Sequence, residues 1–385
     1  MPTAVQFGAG NIGRGFIAQL FHESGYEVVF VDVIPDTLAA LNERHAYSIH
    51  IVGKGAETVP ITNVRAVDGR DTEAVAAEIA RCEIACTAVG AGALKYIAPN
   101  LAAGLAQRDR EGGGPLNVLI CENLHDASDL LHSLISDLLP AERRDAILEK
   151  TGLVQAVVSR MVPLQTPDQE EPLAVRVEAY KRLPVDANAV AGALPNIAGV
   201  ISVNNFEAHV ERKLYTHNCA HATLGYLGWL RGITYGYEAL ADPEVRSTLE
   251  AVLKETGAAL IKKHGFDSAE HGAHVADLLA RFENVELGDT CFRLARDPVR
   301  KLAPDDRLVG AARLCESQGI EPVALAEVIA AAFRFVTPED HASLEIRTSI
   351  TKIGFDSTME KYCGIHIMEP LGVRVKEAYE RLAGR

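Results

Sequence analysis

The chain has 385 residues, of which 48% are hydrophobic and 23% charged. That balance excludes a disordered chain and suits about two to three domains with cores of their own. Lysine and arginine number 38 against 52 aspartates and glutamates, and the net charge of −14 excludes a general binder of nucleic acid or anionic membrane. No segment reads as a membrane span or as a secretory signal. The seven cysteines (Cys82, Cys86, Cys121, Cys219, Cys291, Cys315 and Cys363) are scattered and form no CxxC pair, the pattern of reduced thiols in a cytoplasmic protein.

In chain order, an apolar run at 4–7 predicts a first strand, and helical spacing follows at 15–24. A β-branched run at 27–33 predicts a second strand and 35–44 a second helix. Further apolar runs at 84–89 and 118–121, then 153–158 and 173–179, read as later strands, with a polar loop at 166–172 between the last two. Strand, turn and helix in repetition predict a parallel sheet with helices on its faces. After Pro195 helical patterns take over, at 206–230, 243–264, 273–282, 322–335 and 373–382. The expected fold is therefore α/β, with a Rossmann-like N-terminal domain (1–195) and a mainly α-helical C-terminal domain (196–385).

The segment Gly8-Ala9-Gly10-Asn11-Ile12-Gly13 fits GxGxxG, with a strand before it and a helix after it. The first glycine permits the tight turn, the second lets the backbone approach a pyrophosphate, and the third lets the helix pack close to the strand. Asp32 ends the next strand, 19 residues past Gly13. It is placed to accept the ribose hydroxyls and to repel a 2′-phosphate, which predicts NAD over NADP. Phe7 and Arg14, which flank the turn, join the expected cofactor contacts. A later strand end, with Ala88, Val89 and Gly90 in TAVGAG, is read either as a backbone contact to the nicotinamide half or as a simple turn.

The segment 213–221 is polar for a helix in mid-chain. At about 100° per residue, Lys213, Asn218 and His221 share one broad arc. Such an arc can present a proton acceptor and hydrogen-bond donors to a small polar ligand. A solvated helix face remains open, as does half of a metal motif at His217 and His221, although no third ligand is evident. Between 293 and 313, six basic residues (Arg293, Arg296, Arg300, Lys301, Arg307 and Arg313) face three aspartates, a local charge of +3. Either a bound phosphate or structural ion pairing explains that concentration.

Lys-x4-Asn-x2-His at 213–221 resembles the signature of the polyol-specific long-chain dehydrogenases. FGAGNIGRGF, VERKLYTHNCAHATLGYLG and RDPVRKLAPDDRLVGAARL are similar to that family along nearly the whole chain. The resemblance implies reversible, NAD-linked oxidation of D-mannitol 1-phosphate to D-fructose 6-phosphate without a metal. It implies Lys213 as the general base, Asn218 and Asn123 as holders of the developing alkoxide, and His221 as the group that orients the substrate. Burial beside a cationic nicotinamide would bring the lysine pKa down from about 10.4 toward neutrality. Arg300 and Lys301, with Arg307 behind them, are the expected phosphate ligands. The expected partner is a small sugar or polyol phosphate, and relatives of this kind imply a monomer. A sister polyol or hexuronate dehydrogenase acting on an unphosphorylated sugar is the alternative within enzymes. A non-catalytic NAD-binding regulator is the alternative outside them.

Overall fold

The computed structural model describes residues 1–163, 165 and 171–383; most of the polar loop expected at 166–172 lies outside them. The chain divides into two compact units, Met1–Phe206 and Glu207–Arg385.

The first unit begins with β1 (Thr3–Phe7), a π-helical turn (Gly13–Ile17) continuing into α1 (Ala18–Glu23), β2 (Glu27–Asp32) and α2 (Pro35–Arg44). Next come β3 (Ala46–Ile51), β4 (Glu57–Thr62), β5 (Val64–Asp68), α3 (Thr72–Arg81), β6 (Ile84–Thr87), α4 (Leu94–Arg110) and β7 (Leu116–Ile120). The unit ends with α5 (Ala127–Leu138), α6 (Arg144–Glu149), β8 (Thr151–Gln155), β9 (Val175–Val177), β10 (Leu183–Asp186) and β11 (Val200–Val203).

Six strands form one parallel sheet in the order β5-β2-β1-β6-β7-β8. This is the doubly wound arrangement, with its switch point between β1 and β6. Both faces of the sheet are covered, so the strands read as continuous apolar runs. Along β1 and β2 the side chains alternate. Val5, Phe7, Val29 and Val31 pack with Val75 and Ile79 of α3 and Leu94 and Leu101 of α4. Ala4, Val28 and Phe30 pack on the other face with Phe16, Leu20 and residues of a second, small sheet.

Of that small sheet, in the order β4-β3-β9, the sequence reading, which follows buried runs, anticipates β9 as a strand but neither β3 nor β4. β3 (AYSIHI) alternates half-buried and buried residues, and β4 is largely exposed, so neither stands out as an apolar stretch. The sheet seats the glycine-rich helix start. A Cβ on Gly15 would lie 2.7 Å from Val175 and 2.9 Å from Val177 of β9.

The second unit is helical. Its segment begins with α7 (Phe206–Arg212), a second π-helical turn (Lys213–Asn218) and α8 (Cys219–Leu230), followed by α9 (Gly236–Ala241), α10 (Pro243–His264) and α11 (Ser268–Phe282). The remaining helices are α12 (Cys291–Ala295), α13 (Pro298–Lys301), α14 (Val309–Ser317), α15 (Val323–Arg334), α16 (His341–Cys363) and α17 (Pro370–Leu382). Asp242 caps α10 by accepting from the Glu244 and Val245 amides, and Gly265 ends it with φ +71°. α8 and α12 meet almost backbone to backbone: a Cβ on Gly225 would lie 2.7 Å from the Ala295 nitrogen. α16 escapes the sequence pattern because Gly354 (φ +81°, ψ +167°) breaks it into two helical pieces whose apolar faces do not continue one another. Among the described residues, no helix is long and apolar enough to cross a membrane.

Candidate functional site

At the carboxyl edge of the six-stranded sheet the glycine turn has the geometry its sequence requires. Gly8 has φ +90°, and a Cβ there would lie 2.5 Å from the Ala88 carbonyl oxygen, so β1 and the β6 end come together only over a glycine. A Cβ on Gly13 would lie 2.0 Å from the Gly8 carbonyl oxygen. Gly10 is exposed, with nothing within 4 Å of its Cβ position, which leaves its backbone open to a ligand. Asn11 is exposed and Ile12 half-buried beside it, where the first turn of a helix leaves amides without intrahelical acceptors.

Asp32 does more than its spacing suggests. One carboxylate oxygen accepts from the Ala9 amide at 2.7 Å; the other accepts from Val33 at 2.7 Å and Ile34 at 3.1 Å. These bonds tie the end of β2 to the turn, and a carboxylate with about four acceptor positions still has one for a ribose hydroxyl. Val33 and Ile34, each 55% exposed, present apolar surface directly after the acid. The sequence reading passes over them because exposure is a tertiary property.

Two of the flanking residues serve the scaffold. The Phe7 side chain is fully buried in the core, and its carbonyl accepts from the Ala88 amide at 2.9 Å. The Arg14 guanidinium turns back to the Ala9 carbonyl at 2.6 Å and to the Leu173 carbonyl, so it braces the turn through its side chain. The loop 88–90 is likewise engaged. The Val89 and Gly90 amides donate to the two Glu122 oxygens at 2.9 and 2.8 Å, so with Ala88 all three amides are taken and only carbonyls remain for a ligand. Glu122, 8% exposed, follows β7 and goes unnamed in the sequence reading; Asn123 beside it is exposed.

In the second unit, the π-helical turn changes the arc drawn for a regular helix. The Cys219 amide reaches the Leu214 carbonyl, five residues back. One extra residue is absorbed, so Lys213 and Asn218 stand where an i, i+4 pair would, about 40° apart instead of 140°. His221 then falls close to the same line. Lys213 is largely shielded from solvent, and its pKa is lowered from 10.5 to about 8, first by burial and then by the nearby Arg307 guanidinium. Asn218 is half-buried, and among the described residues its side chain has no hydrogen-bond partner.

The histidines pack as aromatic groups. The His217 and His221 rings lie edge to face at 4.7 Å, and His221 stacks on Phe282 at 4.4 Å. Burial holds His217 well below the usual imidazole value and, with Arg307, Arg281, Arg293 and Lys301 nearby, takes His221 down to about 3. Both rings are therefore neutral near pH 7. Among the described residues, no cluster of three or more His, Cys, Asp or Glu is placed to hold a metal ion.

The basic segment divides. Lys301 is 5% exposed, and its ammonium donates to the Leu294 carbonyl at 2.6 Å and to the Arg296 carbonyl. It closes the C-terminal end of α12, which removes it from the expected phosphate ligands. Arg293 pairs with Asp289 and Arg313 with Glu369, so these two are structural. Arg300 is exposed and held by Asp297 at 2.8 Å. Asp297 itself sits at φ +60°, an uncommon conformation for a non-glycine residue. Arg307 is 8% exposed and its Nε donates to Asp306 at 2.6 Å. A close approach fixes its loop to the π turn: a Cβ on Gly310 would lie 2.8 Å from the Tyr215 hydroxyl.

Comparison with known proteins agrees with this architecture. Residues 2–199 match the mannitol dehydrogenase Rossmann domain, and residues 205–359 match the mannitol dehydrogenase C-terminal domain. The chain is 40% identical over 379 residues to mannitol-1-phosphate 5-dehydrogenase of Brevibacillus brevis, covering 98% of each chain. It is 38% identical over 369 residues to the Bacillus subtilis protein of the same name, covering 96% of this chain and 97% of that one. Among solved structures, Pseudomonas fluorescens mannitol 2-dehydrogenase, a ternary complex with NAD and D-mannitol, shares the fold. Its TM-score is 0.73 at 18% identity, over 100% of this chain and 91% of that chain. A doubly wound sheet with a glycine turn, a helical second unit, and matches over nearly the whole length lead to one assignment: the chain belongs to the mannitol dehydrogenase family of oxidoreductases.

Proposed function

We propose that the chain interconverts D-mannitol 1-phosphate and D-fructose 6-phosphate with NAD(H), and that Lys213, not a metal ion, handles the hydroxyl proton. The match at 40% identity over 98% of both chains, to a relative named for that activity, carries the reading. The first unit suits the cofactor: the turn is open at Gly10, the Asp32 carboxylate stands at the end of β2, and Val33 and Ile34 offer apolar cover. Gly10 and Asp32 would hold NAD, which when bound would supply the hydride acceptor for the alcohol and, once reduced, the donor for the ketone.

The protein groups divide the remaining work. Neutral Lys213 Nζ takes the hydroxyl proton as the carbon–hydrogen bond breaks, and its ammonium returns the proton in the reverse direction. The Asn218 amide donates to the oxygen on which negative charge develops. Neutral His221 has one donor and one acceptor nitrogen with which to orient a neighbouring hydroxyl. In the first unit, Asn123 carries an exposed amide at the sheet edge. Arg300 and Arg307 supply the charge and the planar donors that a phosphate takes.

The test is Lys213→Ala, assayed by nicotinamide absorbance with fructose 6-phosphate. Its kcat should fall about 10²- to 10⁴-fold with an unchanged dissociation constant for NADH. Near-normal turnover would remove the lysine from the mechanism. A wild-type enzyme that reduces fructose but ignores fructose 6-phosphate would overturn the substrate. Because the lysine titrates at about 8, alcohol oxidation should rise with pH through that value, where the base loses its proton. Ketone reduction, which needs the ammonium, should fall over the same range.

A further inference from the structure

Glu122 is a buried anion with a role the chemistry above does not use. It follows β7 at the carboxyl edge of the sheet, 8% exposed, and each of its oxygens accepts one amide of the 88–90 loop, from Val89 and from Gly90. Two acceptors facing two N–H donors is the pattern of an ionised carboxylate. Among the described residues, no lysine, arginine or histidine forms an ion pair with it. A buried charge that two amide dipoles satisfy only in part still gains from a cation brought close to it. The loop it clamps lies at the switch point of the sheet, against Gly8, where a doubly wound fold binds its ligand.

We propose that Glu122 is a positioning residue that supplies the counter-charge for the oxidised, cationic nicotinamide, so that this chain distinguishes NAD⁺ from NADH through one buried carboxylate. The proposal rests on the dinucleotide reading of the first unit. The carboxylate holds the loop in place by its two hydrogen bonds, an effect felt equally by both forms of the cofactor. Its charge is felt by NAD⁺ alone, because the reduced ring is neutral. A merely structural clamp changes both affinities together; a counter-charge changes their ratio.

The experiment is calorimetric titration of the full-length chain with NAD⁺ and, separately, NADH. Glu122→Gln keeps the shape and removes the charge. It should raise the dissociation constant for NAD⁺ about tenfold more than that for NADH, as expected for a unit charge screened at short range in a protein interior. Glu122→Asp keeps the charge but shortens the reach; both cofactors should weaken while their ratio stays within about twofold of wild type. Equal weakening in Glu122→Gln, or no weakening, overturns the proposal and leaves the cofactor assignment standing. Should Glu122→Gln fail to fold, a tenfold change of the ratio in Glu122→Asp overturns it just as well. A wild-type chain that binds neither cofactor overturns the dinucleotide reading itself, and the proposal with it.

Discussion

Replacing Arg307 by methionine tests whether the acid–base lysine is tuned by a like charge. Lys213 is lowered from 10.5 to about 8, with burial the larger cause and Arg307 the smaller. The guanidinium therefore accounts for the smaller part of that drop. Methionine preserves the apolar stem and the burial, so the lysine should titrate at a higher pH in the variant than in the wild type. At pH 7 the neutral fraction, and with it kcat for alcohol oxidation, should fall by up to about tenfold, while the plateau above pH 10 stays put. The assay is kcat against pH at saturating substrate, which separates this effect from any loss of phosphate affinity. Asp306 loses its close ion-pair partner in the variant and keeps the backbone amide of residue 307, at 2.6 Å, and the Arg300 guanidinium, at 3.8 Å. Arg307→Met combined with Asp306→Asn removes that stray negative charge. A midpoint that stays at its wild-type pH in both variants, or moves down, would refute the coupling.

Two further pairs of variants probe the scaffold. Gly13→Ala puts a methyl 2.0 Å from the Gly8 carbonyl oxygen, where only backbone movement can make room; a melting curve should show a loss of about 1–3 kcal/mol together with weakened NADH binding. Gly10→Ala meets nothing within 4 Å, so its melting temperature should match wild type while NADH binding weakens; unchanged binding would mean that no pyrophosphate approaches this backbone. Lys301→Met removes the donor to the Leu294 and Arg296 carbonyls and should cost about 1–3 kcal/mol of stability, with no change in KM for fructose 6-phosphate. Arg300→Ala should do the reverse, raising that KM several-fold and leaving both stability and the KM for NADH alone. Steady-state kinetics beside thermal melts separate the two, and a swapped pattern would reassign the phosphate ligand.

Much of the fold was legible because its signals are local. β1 and β2 are apolar runs that a sheet covered on both faces requires, and GxGxxG between strand and helix fixes a turn that φ +90° at Gly8 allows at little steric cost. The longer helices α8, α10, α11, α15 and α17 announce themselves by spacing, with α10 closed by Asp242 and Gly265, whereas the short α9, α12, α13 and α14 do not. The half-exposed strands β3 and β4 and the broken helix α16 carry no such local mark. At the candidate site, residue type and spacing single out Lys213, Asn218 and His221, yet a regular helix leaves the first two 140° apart, and it takes the π turn to align them. The basic segment is plain in composition, but composition cannot tell Lys301, closing a helix from inside, from Arg300 in solvent. Nor does it show the Val89 and Gly90 amides already committed to Glu122. Local sequence determines which elements form and which chemistry is at hand. Which charges are buried, and which donors are already taken, depends on residues far apart in the chain and is decided only when they pack.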